Sequence, residues 1–434
     1  MSACAIAAGR VADGNLRSTT DNVTDSTIKP SIFFAAAEES LPHDITKIIS
    51  LDALKVYPLL AIAAIQRQKI EVMHKYIGQY FAILSIRRWH DEANWPKDWS
   101  DTERDEMRRV VSVIKRNCAR RRSANLCKYW STYTLDVYSS IVWNGCVHYQ
   151  EAHSQVNYPS EAPTGEYHLL DPFTPSWMVG WNFTTDLYRV LEHAVSRFRT
   201  QSSRFNILDV ATPSSPTFSS GLNSRVNALF LELPDNFKTI KDMSGVPAQD
   251  IYGFQAANIQ ATSALLRMML FSVEEGNDVG KKCSVASELL DVFHRIPKPY
   301  LTAIGAPLVY HLSGIGHILG SVINIPLTET SYSKVRQLLI SMADLLASLE
   351  SVLHKSAGAG KSLLEQVGRI DEFMASERHN NNTRAAQTIE GNLNGWANAL
   401  GQEVSPRYQL PDDILLDWNW PLEITAENPF LLLQ

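Results

Sequence analysis

Apolar residues recur at steps of three and four along most of the chain. Leu51, Leu54, Tyr57, Leu60, Ala61 and Ala64 follow that spacing, as do Met73, Ile77, Tyr80, Phe81 and Leu84, so two successive amphipathic helices are predicted. Ser100 or Asp101, followed by Glu103 and Glu106, has the form of a capped helix start. Helical length and period continue through Leu135–Trp143, Phe183–Phe198, Tyr252–Val273, Cys283–Ile296, Pro307–Ile323 and Val335–Leu353. Runs of strand type, alternating and β-branched, do not accompany them. Breakers fall between the periodic segments, as at Tyr158-Pro159-Ser160, Ala211–Gly221 and Leu233-Pro234-Asp235. The pattern predicts an all-α fold.

Three regions follow from the same reading. Residues 1–40 lack the period, contain Asp13-Gly14-Asn15 and a Ser/Thr/Asp-rich run from Ser18 to Thr27, and are predicted to be a flexible leader. Residues 41–375 form the helical body. Residues 376–434 are predicted to be a linker, marked by Asn380–Thr383 and the Gln/Gly/Asn-rich stretch after it, followed by a tail.

Composition sets bounds on this picture. Hydrophobic residues make up 45% of 434 positions, enough for a large core and too many for a disordered chain. Lys plus Arg number 40 against 46 Asp plus Glu, a net −6, which excludes DNA binding by the whole surface. The charge is uneven, however. Between Arg108 and Lys128 lie Arg109, Lys115, Arg116, Arg120, Arg121 and Arg122 with no acid, whereas Tyr408–Gln434 has no cation. That tail mixes Asp412, Asp413, Asp417, Glu423 and Glu427 with Ile414, Leu415, Leu416, Trp418, Trp420 and Leu422, the pattern of acidic activation segments. The five cysteines, Cys4, Cys118, Cys127, Cys146 and Cys283, are odd in number and scattered, which suits a reducing compartment and no disulfide scaffold. The first residues lack the basic start of a signal peptide, so the sequons at Asn22 and Asn182 carry little weight.

The run Trp130-Ser131-Thr132-Tyr133-Thr134-Leu135-Asp136-Val137-Tyr138-Ser139-Ser140 resembles the middle homology region of fungal zinc-cluster transcription factors. In that family a basic pair precedes an aromatic, a Tyr, Leu-Asp, a Ser, a turn and a closing Pro. Arg108-Arg109, Trp130, Tyr133, Leu135-Asp136, Ser139, Gly145 and Tyr158-Pro159 match these in order. Asp186–Leu191, Leu231-Glu232-Leu233-Pro234 and the helix from Tyr252 to Phe271 extend the likeness, so it covers roughly Asp44 to Leu353. Two features depart from the family. A six-cysteine zinc cluster is not to be built from Cys4, the one cysteine before residue 100. A basic insert, residues 110–127, separates the Arg pair from the aromatic, as a retained intron or a lineage-specific loop would.

The resemblance implies a nuclear transcription regulator controlling a metabolic or secondary-metabolite gene cluster in a fungus. It further implies a helical body that dimerises, receives a signal or meets a DNA-bound partner, and a tail that recruits transcription machinery. DNA binding by this chain alone is expected to be weak, since its phosphate-directed charge is local. The alternatives from other classes are an all-α small-molecule enzyme, such as a cyclase using an interhelical cavity, and an adaptor for a DNA-bound partner.

Other candidate chemistry reads as architecture. Lys355–Ser362 ends like a phosphate loop but lacks its first glycine and a preceding strand, so a flexible helix–helix loop is expected. His148 and His153 stand five apart, one step off the spacing a zinc-protease helix needs, and read as surface polarity. Asp412–Asp417 resembles the magnesium carboxylates of a terpene cyclase but sits in the acidic tail. Tyr300–Asn324 is long and uncharged, yet Gly, Pro, Ser and His residues dilute it, so a core helix rather than a membrane span is expected, with His311 and His317 as core residues. Asp136, between Tyr133 and Tyr138, is expected to be semi-buried and to need a cation, with Arg108, Arg109 or Lys128 as candidates. No catalytic residue, cofactor or metal is predicted.

Overall fold

The computed structural model describes residues 1–12, 29–67, 69–108, 129–142, 146–161, 175–202, 216–273, 279–304, 312, 315–316, 319, 327–352, 358–391 and 407–408. Thirteen α-helices lie among them: α1 (Ser2–Ala12), α2 (Pro30–Glu39), α3 (Leu51–Gln66), α4 (Ile70–Arg87), α5 (Asp101–Arg108), α6 (Tyr129–Val142), α7 (Met178–Ser202), α8 (Pro216–Glu232), α9 (Pro247–Val273), α10 (Val279–Arg295), α11 (Lys298–Ile304), α12 (Glu329–Val352) and α13 (Ala359–Gly391). The described strands are a two-residue antiparallel pair, Leu327–Thr328 with Arg407–Tyr408. The fold is all-α.

Local chemistry explains several boundaries. Ser50 caps α3 by accepting from the Ala53 N–H at 3.1 Å. At α5 the cap is reciprocal: Ser100 Oγ accepts from the Glu103 N–H at 3.2 Å while Glu103 Oε2 accepts from the Ser100 N–H at 2.8 Å. Helix α4 ends at Arg88, which takes a left-handed φ of 56°. Pro216 opens α8, although Ala211–Gly221 reads as a breaker; a proline in the first turn removes only an N–H that has no intrahelical acceptor.

Two ends of the chain differ from expectation. Residues 1–40 hold two helices rather than a flexible leader alone, because Ala5, Ile6, Phe34 and Ala37 are buried and let α1 and α2 pack on each other and on α3. Ala5 and Ala37 supply part of this contact, and alanines add little to the period of large apolar residues by which a helix is read. Ser18–Thr27 lies outside the described residues. At the other end, residues 376–391 continue α13 instead of beginning a linker. The basic insert 110–127, with Arg109, lies outside the described residues, as do His311, His317 and the tail from residue 409 on.

The core runs continuously from Ala5 to Met374. Helix α3 packs on α4, α6 on α7, α7 on α9, α9 on α10, α10 on α12 and α12 on α13. The glycines of the phosphate-loop look-alike belong to the last of these pairs. A Cβ on Gly360 would fall 2.8 Å from the Ala343 carbonyl oxygen and 3.1 Å from the Ala347 nitrogen, so glycine permits the two backbones to touch. Glu350 Oε1 accepts from the Ala359 N–H at 2.8 Å and caps the start of α13. Of Tyr300–Asn324, Leu312, Ile315 and Leu319 are buried core residues, and among the described residues no helix is long and apolar enough to cross a membrane.

Candidate functional site

Buried polar groups concentrate where α6, the segment 146–161 and α7 meet. Helix α6 is enclosed on nearly every side: Tyr129, Trp130, Tyr133, Val137, Tyr138 and Ile141 are buried, and so are Thr132, Asp136, Ser139 and Ser140. Ser139 and Ser140 donate back to the carbonyls of Asp136 and Val137, which satisfies their hydroxyls within the helix. Leu135 is partly buried against the core. Asp136 faces inward, three residues on from Tyr133, and is 0% exposed.

Of the cations expected for Asp136, Arg108 is engaged elsewhere. It forms a two-pronged pair with Glu92, at 2.7 Å from Nε, and lies 5.6 Å from the Trp95 ring centroid. Arg109 and Lys128 lie outside the described residues. The partners of Asp136 come from the turn after α6: the His148 N–H at 2.7 Å, His148 Nδ1 at 2.7 Å and the Tyr149 N–H at 3.3 Å. Two of the three donors are backbone groups, so any residue in the same turn supplies them. Burial pushes the Asp136 carboxyl up, and these three hydrogen bonds pull against that shift. The bond to Asp136 raises the His148 imidazole, against a smaller opposing effect of burial.

The Nδ1 contact fixes His148 as the Nδ1–H tautomer when neutral and leaves Nε2 as the acceptor. The ring stacks near Phe81 of α4, with centroids 6.4 Å apart, above Gly78, where a Cβ would come within 3.5 Å of Nε2. Cys146 Sγ is 3.9 Å from Nε2. His148 therefore is not loose surface polarity, while His153 is exposed, as expected. His148 is tied to Asp136, and the His153 carbonyl accepts from the buried Tyr149 hydroxyl at 2.8 Å.

A second cluster continues toward α7. Glu192 is 3% exposed and accepts from the Tyr133 hydroxyl at 2.7 Å and from the Glu151 N–H at 2.8 Å. Burial pushes the Tyr133 hydroxyl far up, and Glu192 reinforces the shift, so it stays a donor. Arg189 bridges Glu151, the Tyr158 hydroxyl at 2.8 Å and Asp186 at 3.2 Å, and lies 5.8 Å from the Trp130 centroid. Trp130 Nε1 donates to the Asn157 carbonyl at 3.0 Å, and the Asn157 N–H donates to Glu92 at 2.8 Å. Through Glu92 the network reaches Arg108. Thus Arg108, Trp130 and Tyr133 join one connected polar region, Asp136 belongs to the neighbouring cluster with His148, and Leu135 supports the apolar surround.

Sequence reasoning missed His148, Glu151 and Glu192. Glu192 falls beside buried Leu191 on an apolar stretch of α7, and a charge interrupting such a stretch was the available signal. The tail residues Asp412, Asp413, Leu415, Leu416, Asp417, Trp418 and Trp420 lie outside the described residues. Among the described residues no group of three or more His, Cys, Asp and Glu is arranged to hold a metal ion. Comparisons with protein-family models, curated proteins and solved structures returned no match.

Proposed function

We propose that this chain is a transcription regulator, of the kind that controls a metabolic or secondary-metabolite gene cluster in a fungus, working in the nucleus through a helical regulatory body and an acidic, hydrophobic tail. The observation that carries the reading is the meeting of separate motif stretches. Trp130 and Tyr133, then Tyr158, then Asp186 and Arg189 stand far apart in sequence, each belongs to the resemblance, and all enter one partly buried network, with Asp136 of the same helix held in the cluster beside it. That a motif should be spent on architecture suits a regulatory body, whose residues hold helices together instead of facing a reactant. The carboxylates of Asp136, Glu151, Asp186 and Glu192 are each engaged by protein donors, which favours this reading over a cyclase. In this reading the body dimerises or meets a DNA-bound partner, and the tail contacts transcription machinery. DNA affinity of the chain alone is weak.

The test is a reporter assay with the full chain fused to a heterologous DNA-binding module in a fungal host. Activation above the unfused module is expected, with most of it lost on Trp418→Ala combined with Trp420→Ala. Output no higher than that of the module, or unchanged by the double substitution, contradicts the proposal.

A further inference from the structure

We propose that Cys146 is a nucleophilic thiol site, with His148 as its base and Asp136 as the residue that positions His148, and that it takes a small anionic disulfide as co-reactant. The proposal rests on three aligned groups and stands independently of the regulatory reading. Cys146 is exposed, His148 is partly exposed and Asp136 is wholly buried, so the row runs from solvent inward. Asp136 Oδ1 holds Nδ1 at 2.7 Å, which leaves Nε2 directed at the sulfur 3.9 Å away. A histidine oriented by a carboxylate and facing a thiol is the arrangement that removes a thiol proton.

The surroundings select the co-reactant. Arg199 of α7 donates to the Ser140 carbonyl at 2.6 Å and lies close enough to Cys146 for the guanidinium and the thiol to interact electrostatically. A guanidinium in that position draws in a carboxylate-bearing reagent. The groups facing the Cys146–His148 pair are Asp136 from α6, His74 and Phe81 from α4, and Arg199 from α7.

In the reaction Cys146 passes its proton to His148 Nε2 and the thiolate attacks one sulfur of the disulfide. A new sulfur–sulfur bond forms as the old one breaks, and the departing thiolate takes the proton from His148. Cys146 is oxidised to a mixed disulfide and the released half of the reagent is reduced to a thiol. The adduct sits in the turn that supplies all three donors to Asp136, so it loads the joint between α6 and residues 146–161.

Glutathione disulfide is the probe, added to the reduced full chain, with occupancy of each cysteine followed over time by peptide mass spectrometry. Cys4, also exposed, serves as the internal reference, and Cys283 is buried. Cys146 is expected to react about tenfold or more faster than Cys4 at neutral pH. His148→Gln is expected to bring Cys146 down to the rate of Cys4 and leave Cys4 unchanged. Equal rates in the unsubstituted chain overturn the proposal without any variant, as does a fast Cys146 that His148→Gln does not slow.

Discussion

The seam of α6, residues 146–161 and α7 and the hairpin of α12 and α13 both combine apolar packing with ion pairs, but they place their charges at different depths. At the seam Asp136 is 0% exposed and Glu192 3%. At the hairpin Arg336 and Asp371 pair at 2.7 Å with side chains 43% and 33% exposed, and Arg378 pairs with Glu329 at a similar depth. What brings the hairpin together is apolar burial of Leu339, Leu346, Leu363 and Ile370, with Gly360 allowing backbone contact. Buried charge demands specific donors, so the seam fixes one geometry; exposed charge asks for little and specifies little.

The largest effect should come from Asp136→Ala. It leaves the His148 and Tyr149 N–H groups without their acceptor and removes the partner of the imidazole, at a cost of about 3–5 kcal/mol read from chemical denaturation. A loss within about 1 kcal/mol would show the seam to be as tolerant as the surface. Gly360→Val should cost about 1–3 kcal/mol by forcing α12 and α13 apart, with faster amide exchange confined to the hairpin. Equal exchange changes at the seam would merge the two regions.

A smaller effect concerns pH. Because the bond to Asp136 raises His148 in the folded state, this pair contributes fully below the ordinary histidine value of about 6.5 and loses its contribution as pH rises through the folded value. Midpoints measured from pH 6 upward should fall in the native chain more than in His148→Gln; parallel curves would break the assignment. The smallest effect is that of Arg336→Ala, within about 1 kcal/mol and diminished by salt.

The helices themselves were legible wherever large apolar residues set the period, as in α3, α4, α9 and α12. The start of α6 was not. Its first turn, Tyr129 to Thr132, mixes aromatics with Ser and Thr, so the apolar period is visible only from Leu135, although that first turn is itself buried. Helix α1 was missed because Ala5 packs as tightly as a larger residue while adding little to a period. Trp130, Tyr133 and Asp136 stood out in the sequence, yet the described partners of Asp136 did not. Reading for a cation named Arg108, Arg109 or Lys128, whereas the donors among the described residues are two peptide N–H groups and a histidine twelve residues on. Backbone donors carry no residue identity, so only the path of the turn reveals them.

Asp136 and His148 act as one unit at the seam, and a double-mutant cycle with Asp136→Asn and His148→Gln measures that unit directly. Denaturation of the four proteins should give a coupling of about 1.5–3 kcal/mol, the double variant losing less than the two single variants added together. Additivity within about 0.5 kcal/mol would contradict the account, because it would mean that the carboxylate and the imidazole do not depend on each other.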